Sequence, residues 1–221
     1  MHIDVNGISI FYETRGSGSP LILLHGNGED HHIFDKLADR LAADYTVYAL
    51  DSRNHGQSQN TDDYSYETMA EDTGCFIQAL GLDRPGLVGF SDGAITGLLL
   101  AMKQPRAISR LALLGINLKP DDFTEECYQY VKDTYQETKD PLFKLMLEQP
   151  CIELEDVRTV DVPVLLVWAE HDLFRPETFP ALASALPNAQ LKIMAGHDHD
   201  SYIANQDLLY PDLTAFFHLS I

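Results

Sequence analysis

The sequence predicts an α/β protein built on a mostly parallel sheet of about eight strands, with helices covering both faces. Three observations lead there: a hairpin signal at the start, short all-apolar runs of strand length, and the regular alternation of those runs with helix-length segments.

Taken in order, Ile3, Val5, Ile8, Ile10 and Tyr12 alternate around Asn6-Gly7. Asn-Gly between alternating runs marks a hairpin, because both turn residues must reach positive φ. The sheet is therefore expected to begin with two antiparallel strands. After the loop G-S-G-S-P, Leu21 to Leu24 is apolar throughout and closed by His25-Gly26, as expected of a strand buried on both faces. A helix follows near Asp30 to Ala42, then a strand Tyr45 to Leu50, a helix Tyr66 to Leu80, a strand Gly86 to Phe90, a helix Asp92 to Lys103 and a strand Leu111 to Ile116. The pattern resumes with strand Val162 to Trp168, helix Pro176 to Leu186, strand Gln190 to Met194 and a last helix from about Ser201 to Phe217. Between them lie two acidic, aromatic-bearing helical stretches, Thr124 to Lys139 and Pro141 to Gln149, separated by Pro141, which cannot sit inside a helix. These read as a cap inserted at about 118–160 in a single domain, 1–221, and the insertion is too short to carry its own core.

Composition narrows the partners. Lysine and arginine number 15 against 34 aspartates and glutamates, a formal net charge of −19, which repels nucleic acid and anionic membrane surfaces alike. No apolar run approaches the roughly 18 residues that a membrane-spanning helix needs. The first residues lack the basic and apolar regions of a signal peptide. Cys75, Cys127 and Cys151 lie far apart and are odd in number, which suits reduced thiols. The expected location is the cytoplasm.

The segment G-L-V-G-F-S-D-G-A-I-T-G carries the chemistry. Gly89-Phe90-Ser91-Asp92-Gly93 joins an apolar strand to a helix and matches G-x-S-x-G, a strained turn that projects a serine above the sheet. Side chains at Gly89 or Gly93 are expected to collide with neighbouring backbone, and the helix N-terminus after Ser91 favours a developing oxyanion.

With this elbow in place, the chain resembles the α/β-hydrolase superfamily over its whole length, and its small esterase-like members in particular. L-L-H-G-N-G (Leu23 to Gly28) is similar to the family's H-G-x-G loop, and D-S-R-N-H-G-Q-S (Asp51 to Ser58) to its D-x-R-G-x-G-x-S loop, with Asn54 where glycine is usual. The resemblance implies backbone oxyanion donors at Asn27 and Asp92. It implies an acid after V-L-L-V-W-A-E-H-D, with Asp172 preferred over Glu170 and Ala169 replacing the family's glycine. The other position where an acid could stand, after the strand ending near Ile116, holds Asn117. It implies a histidine in L-K-I-M-A-G-H-D-H-D-S-Y, where counting from Met194 favours His199 over His197.

The expected function is cleavage of an ester or related acyl bond of a small molecule: Ser91 attacks, His199 moves the proton, Asp172 orients His199, and water completes the reaction without a cofactor. Thioesterase, peptidase, carbon-carbon hydrolase, lactonase and perhydrolase chemistry remain alternatives, as does a binding protein that has lost turnover. The resemblance sets aside dehalogenase and epoxide hydrolase chemistry, which uses aspartate at the elbow. No catalytic metal is expected: His197 to Asp200 are loop neighbours pointing in different directions, and His31-His32 has no H-E-x-x-H or cysteine pair beside it. His31, Phe123 and Tyr128 are the candidates for lining the substrate pocket, Tyr128 standing on a stripe with Val131 and Tyr135.

Overall fold

Residues 1–218 are described by a computed structural model; residues 219–221 of the expected domain lie outside the described residues. The chain forms β1 (His2–Val5), β2 (Ile8–Gly16), β3 (Ser19–Leu24), α1 (Asp35–Leu41), β4 (Tyr45–Leu50), α2 (Tyr66–Ala79), β5 (Gly86–Phe90), α3 (Asp92–Lys103) and β6 (Arg110–Leu114). There follow α4 (Glu125–Thr138), α5 (Pro141–Glu148), β7 (Val164–His171), α6 (Thr178–Ala185), β8 (Ala189–Asp198) and α7 (Tyr210–His218). The strands make one eight-stranded sheet in the order β1-β2-β4-β3-β5-β6-β7-β8. β1, β2 and β4 pair antiparallel, and every pairing from β4 through β8 is parallel. The opening hairpin turns through Asn6 at φ 49° and Gly7 at φ 79°, the left-handed pair its sequence requires.

The central strands have no polar side because each face meets its own core. In β3, Leu21 and Leu23 pack with Phe34, Leu37 and Leu213, while Ile22 and Leu24 pack with Phe76, Ile95 and Leu98. Successive side chains of a strand point to opposite faces, so an all-apolar run is what a doubly covered sheet selects. Each such leucine, fully buried, contributes about 1.5–3 kcal/mol of transfer free energy. The cap joins the second of these cores: Phe123, Cys127, Val131 and Leu145 lie in one cluster with Leu98, Ile116 and Trp168.

The cap helices end where their capping residues stand. The Thr124 hydroxyl accepts from Cys127 N at 3.3 Å, Lys139 closes α4 in the left-handed region, and Asp140 accepts from Leu142 N at 2.9 Å to start α5.

Three elements differ from expectation by more than the few residues at the ends of β6, β7 and α6. The helix expected over Asp30 to Ala42 is a 3-10 turn at His31–Phe34 followed by α1, because the Asp30 carboxylate accepts from His32 N and tightens the first turn. β8 runs on to Asp198, well past Met194; its largely exposed pattern hides its end from an apolar-run reading. The last helix begins at Tyr210 and not near Ser201, because fully buried Tyr202 and Ile203 anchor a run of turns whose apolar residues mimic helical spacing.

Candidate active site

β5 delivers Ser91 to the N-terminus of α3 with φ 51° and ψ −113°, a strained conformation for a residue with a side chain. The flanking glycines are required by close approach. A Cβ at Gly89 would stand 2.2 Å from the Gly93 carbonyl oxygen, and one at Gly93 2.1 Å from that of Leu24. Ser91 N donates to Leu114 O at 2.8 Å, which ties the elbow to β6.

Three side chains from distant parts of the chain meet there. Ser91 Oγ lies 3.1 Å from His199 Nε2, and His199 Nδ1 lies 2.7 Å from Asp172 Oδ1. A carboxylate can only accept, so Nδ1 carries the hydrogen and Nε2 turns its lone pair to the serine hydroxyl. Asp172 follows β7 directly, and its side chain is 2 % exposed, held by Ala169 N on Oδ2 and Leu173 N on Oδ1. His199 packs between Phe90, 4.9 Å away, and Phe174, 5.3 Å away and edge-on.

The other candidates have separate partners. Glu170 Oε2 accepts from Gly196 N, His197 Nδ1 lies 3.1 Å from Ser201 Oγ, and the Asn117 amide donates to Lys119 O. Asn54 takes φ 64°, so asparagine fills the place of the usual glycine in the 51–58 loop without losing its left-handed turn.

Asn27 and Asp92, the expected backbone donors, are joined to each other. Asn27 Nδ2 donates to Asp92 Oδ2 at 2.9 Å and reaches the Leu142 carbonyl of α5 at 3.4 Å. The other Asp92 oxygen accepts from Tyr66 Oη at 2.8 Å. Burial raises the Asp92 carboxyl above the ordinary carboxylate range, opposed by these two donors. As the first residue of α3, Asp92 has a backbone N–H that no helical carbonyl can take.

The loop carrying Asn27 is braced from below. His55 Nε2 accepts from Gly28 N at 3.1 Å, and His25 Nε2 from Ser52 N at 3.0 Å. His25 is fully buried, and burial lowers its pKa to about 4, so it is a neutral brace at physiological pH. Glu29 accepts from Gly26 N at 2.9 Å, and burial pushes its carboxyl up to about 7.

The pocket candidates separate. Phe123 is buried and packs tilted against Phe174 at 5.1 Å, and Phe174 in turn meets His199 edge-on, so Phe123 reaches the site through one intermediary. His31 is drawn into the body, bonded to Asp51 and packed on Phe11. Tyr128 is exposed, because α4 buries Cys127 and Val131 and the next residue after Cys127 is turned away from that face. Sequence reading missed Phe174, Tyr66, Glu29 and Gly115. Gly115, at φ 56°, would place a Cβ 2.8 Å from His199 Cε1.

Residues 19–143 match the family model described as alpha/beta hydrolase fold. The chain is 35% identical over 120 residues to fluoroacetate dehalogenase from a Burkholderia species, covering 52% of this chain and 40% of that one. It is 27% identical to the non-heme chloroperoxidase CPO-A1 of Kitasatospora aureofaciens, covering 92% and 96%. Among solved structures, naproxen esterase of Bacillus subtilis superposes with a TM-score of 0.82 at 17% identity, covering 99% of this chain and 90% of the other, a likeness of fold. The chain spans about half the length of several curated relatives it matches.

Proposed function

The chain belongs to the alpha/beta hydrolase fold family, and on that premise we propose that it is a serine hydrolase that cleaves an ester or related acyl bond of a small molecule. One observation carries the reading: the continuous hydrogen-bonded series from Ser91 Oγ through His199 to Asp172, at 3.1 and 2.7 Å. A free serine hydroxyl is a weak nucleophile. With Nε2 of a correctly oriented imidazole in reach, its proton leaves as the oxygen attacks, and the same nitrogen returns that proton to the leaving group. Asp172 fixes the tautomer and stabilises the imidazolium. The Asn27 and Asp92 backbone N–H groups receive the oxyanion of the tetrahedral intermediate. Water then attacks the acyl-Ser91 ester by the same proton route, and no cofactor enters.

Ser91 stands where the family resemblance implies an aspartate for dehalogenase and epoxide hydrolase chemistry, and both are set aside on that ground. Perhydrolase chemistry on the same residues is the second reading, favoured by the chloroperoxidase match over nearly the full length of both chains. We treat residues 1–221 as one domain with the cap at about 118–160, and the three free thiols support a cytoplasmic setting. Among the described residues no helix is long and apolar enough to cross a membrane.

The test is fluorophosphonate labelling, followed by a screen of p-nitrophenyl esters, thioesters, lactones and aminoacyl amides, with hydrogen peroxide added in one arm. The Ser91→Ala protein serves as blank. A Ser91 adduct with turnover of one acyl class is the expected result; a folded protein without an adduct refutes the reading.

A further inference from the structure

We propose that Asp30, His31 and His32, with Glu13 beside them, form a binding site for a divalent cation of the zinc class, apart from the Ser91 centre. One ligand atom from each of Asp30, His31 and His32 lies within 4.8 Å of the others. Such clusters are common on surfaces, and the buried member distinguishes this one. His31 is 2 % exposed, and its Nδ1 lies 2.7 Å from Oδ1 of the fully buried Asp51. That carboxylate takes the Nδ1 hydrogen, which leaves the lone pair on Nε2. Nε2 is buried and has no hydrogen-bond partner; the nearest charged atom is Glu13 Oε1 at 3.6 Å. A carboxylate behind an imidazole whose other nitrogen faces a second carboxylate is the arrangement that orients metal-binding histidines.

Distances and charge agree with this. Glu13 Oε1 stands outside the three-residue cluster, 3.6 Å from His31 Nε2, near the roughly 3.4 Å that separates two ligand atoms on a tetrahedral zinc, and would turn in as the fourth ligand. The surrounding carboxylates are Glu13, Asp30, Asp35, Asp39 and Asp51, and the fixed cation facing them is Arg15. Arg15 bonds to Glu13 Oε2, Asp35 and Asp39, leaving Glu13 Oε1 and one Asp30 oxygen for a metal. His32 bonds Asp35 through Nδ1 and keeps Nε2. Two imidazoles with two carboxylates suit a borderline-soft ion over magnesium or calcium.

The site would be structural. It would link β2, which carries Glu13, to the turn after the H-G-N-G loop, and through Asp51 to the 51–58 loop whose His55 receives the Gly28 N–H.

The experiment uses the untagged full chain, stripped by chelator and then dialysed against zinc at concentrations up to about 100 μM. One zinc per chain is expected, with cobalt substitution giving tetrahedral absorption bands. Glu13→Gln and His32→Ala, at partly exposed side chains that folding tolerates, should each weaken binding about tenfold or more, and His218→Ala should leave it unchanged. Absence of stoichiometric zinc overturns the proposal. So does zinc retained equally by the Glu13 and His32 variants.

Discussion

Gly115→Ala tests whether the site depends on where His199 is held. Gly115 follows β6 at φ 56°, and a Cβ there would lie 2.8 Å from His199 Cε1, 3.0 Å from Nδ1 and 3.6 Å from Asp172 Oδ2. Ordinary contact begins at 3.4 Å, so the ring must retreat by about 0.6 Å. It cannot do so while keeping both its 3.1 Å bond to Ser91 and its 2.7 Å bond to Asp172. Misplacing a catalytic group by about 1 Å costs on the order of a hundredfold, so a loss of roughly ten- to a hundredfold in kcat/KM is expected, about 1.4–2.7 kcal/mol of barrier. The left-handed backbone adds about 1–2 kcal/mol of folding cost for alanine, a few degrees in Tm. The assay is kcat/KM on an activated ester, with a thermal melt showing that the variant is folded at the assay temperature. A folded variant within about twofold of wild type would refute the claim that catalysis needs His199 in this position.

Ser91→Ala and His199→Ala should each reduce ester turnover by about a thousandfold or more with unchanged circular dichroism, while His197→Ala stays near wild type; the reverse pattern for the two histidines would reassign the base. Asp92→Ala keeps the backbone donor but leaves the Tyr66 hydroxyl and Asn27 amide without their acceptor. It should cost about 1–3 kcal/mol per stranded group in denaturant unfolding and lower kcat more than it raises KM. Glu29 has its pKa raised by burial to about 7 from 4.5, so its contribution to stability is present below pH 4.5 and lost as pH rises through about 7. Glu29→Gln should therefore narrow the difference in Tm between about pH 5 and about pH 8, and an unchanged difference in scanning fluorimetry would contradict this.

What was legible in the sequence had local causes. Gly89 and Gly93 are required by contacts within one strand-turn-helix unit, and Asn6-Gly7 by the turn it makes, so both could be read from a few residues. The doubly buried strands were equally plain, because their apolar runs leave no polar face. Choosing His199 over His197 drew on a family pattern, since β8 is too exposed for hydrophobicity to mark its end. What escaped notice depended on partners distant in the chain. His31 sits at a helix start in the sequence, but its position is set by Asp51 twenty residues on. Gly115 is an ordinary glycine until His199 packs against it. The stripe expected on α4 through Tyr128 was rotated, because Cys127 shares the buried face with Val131.

The cap's place in the core also bears on how such a protein can change over generations. Phe123 packs against Phe174 and, with Val131 and Leu145, is part of the cluster that stabilises β6 and β7. Substitutions there that alter the surroundings of His199 also disturb that packing. Variation in the cap should therefore accumulate first at outward positions such as Tyr128 and Tyr130, where it carries little penalty for foldedness.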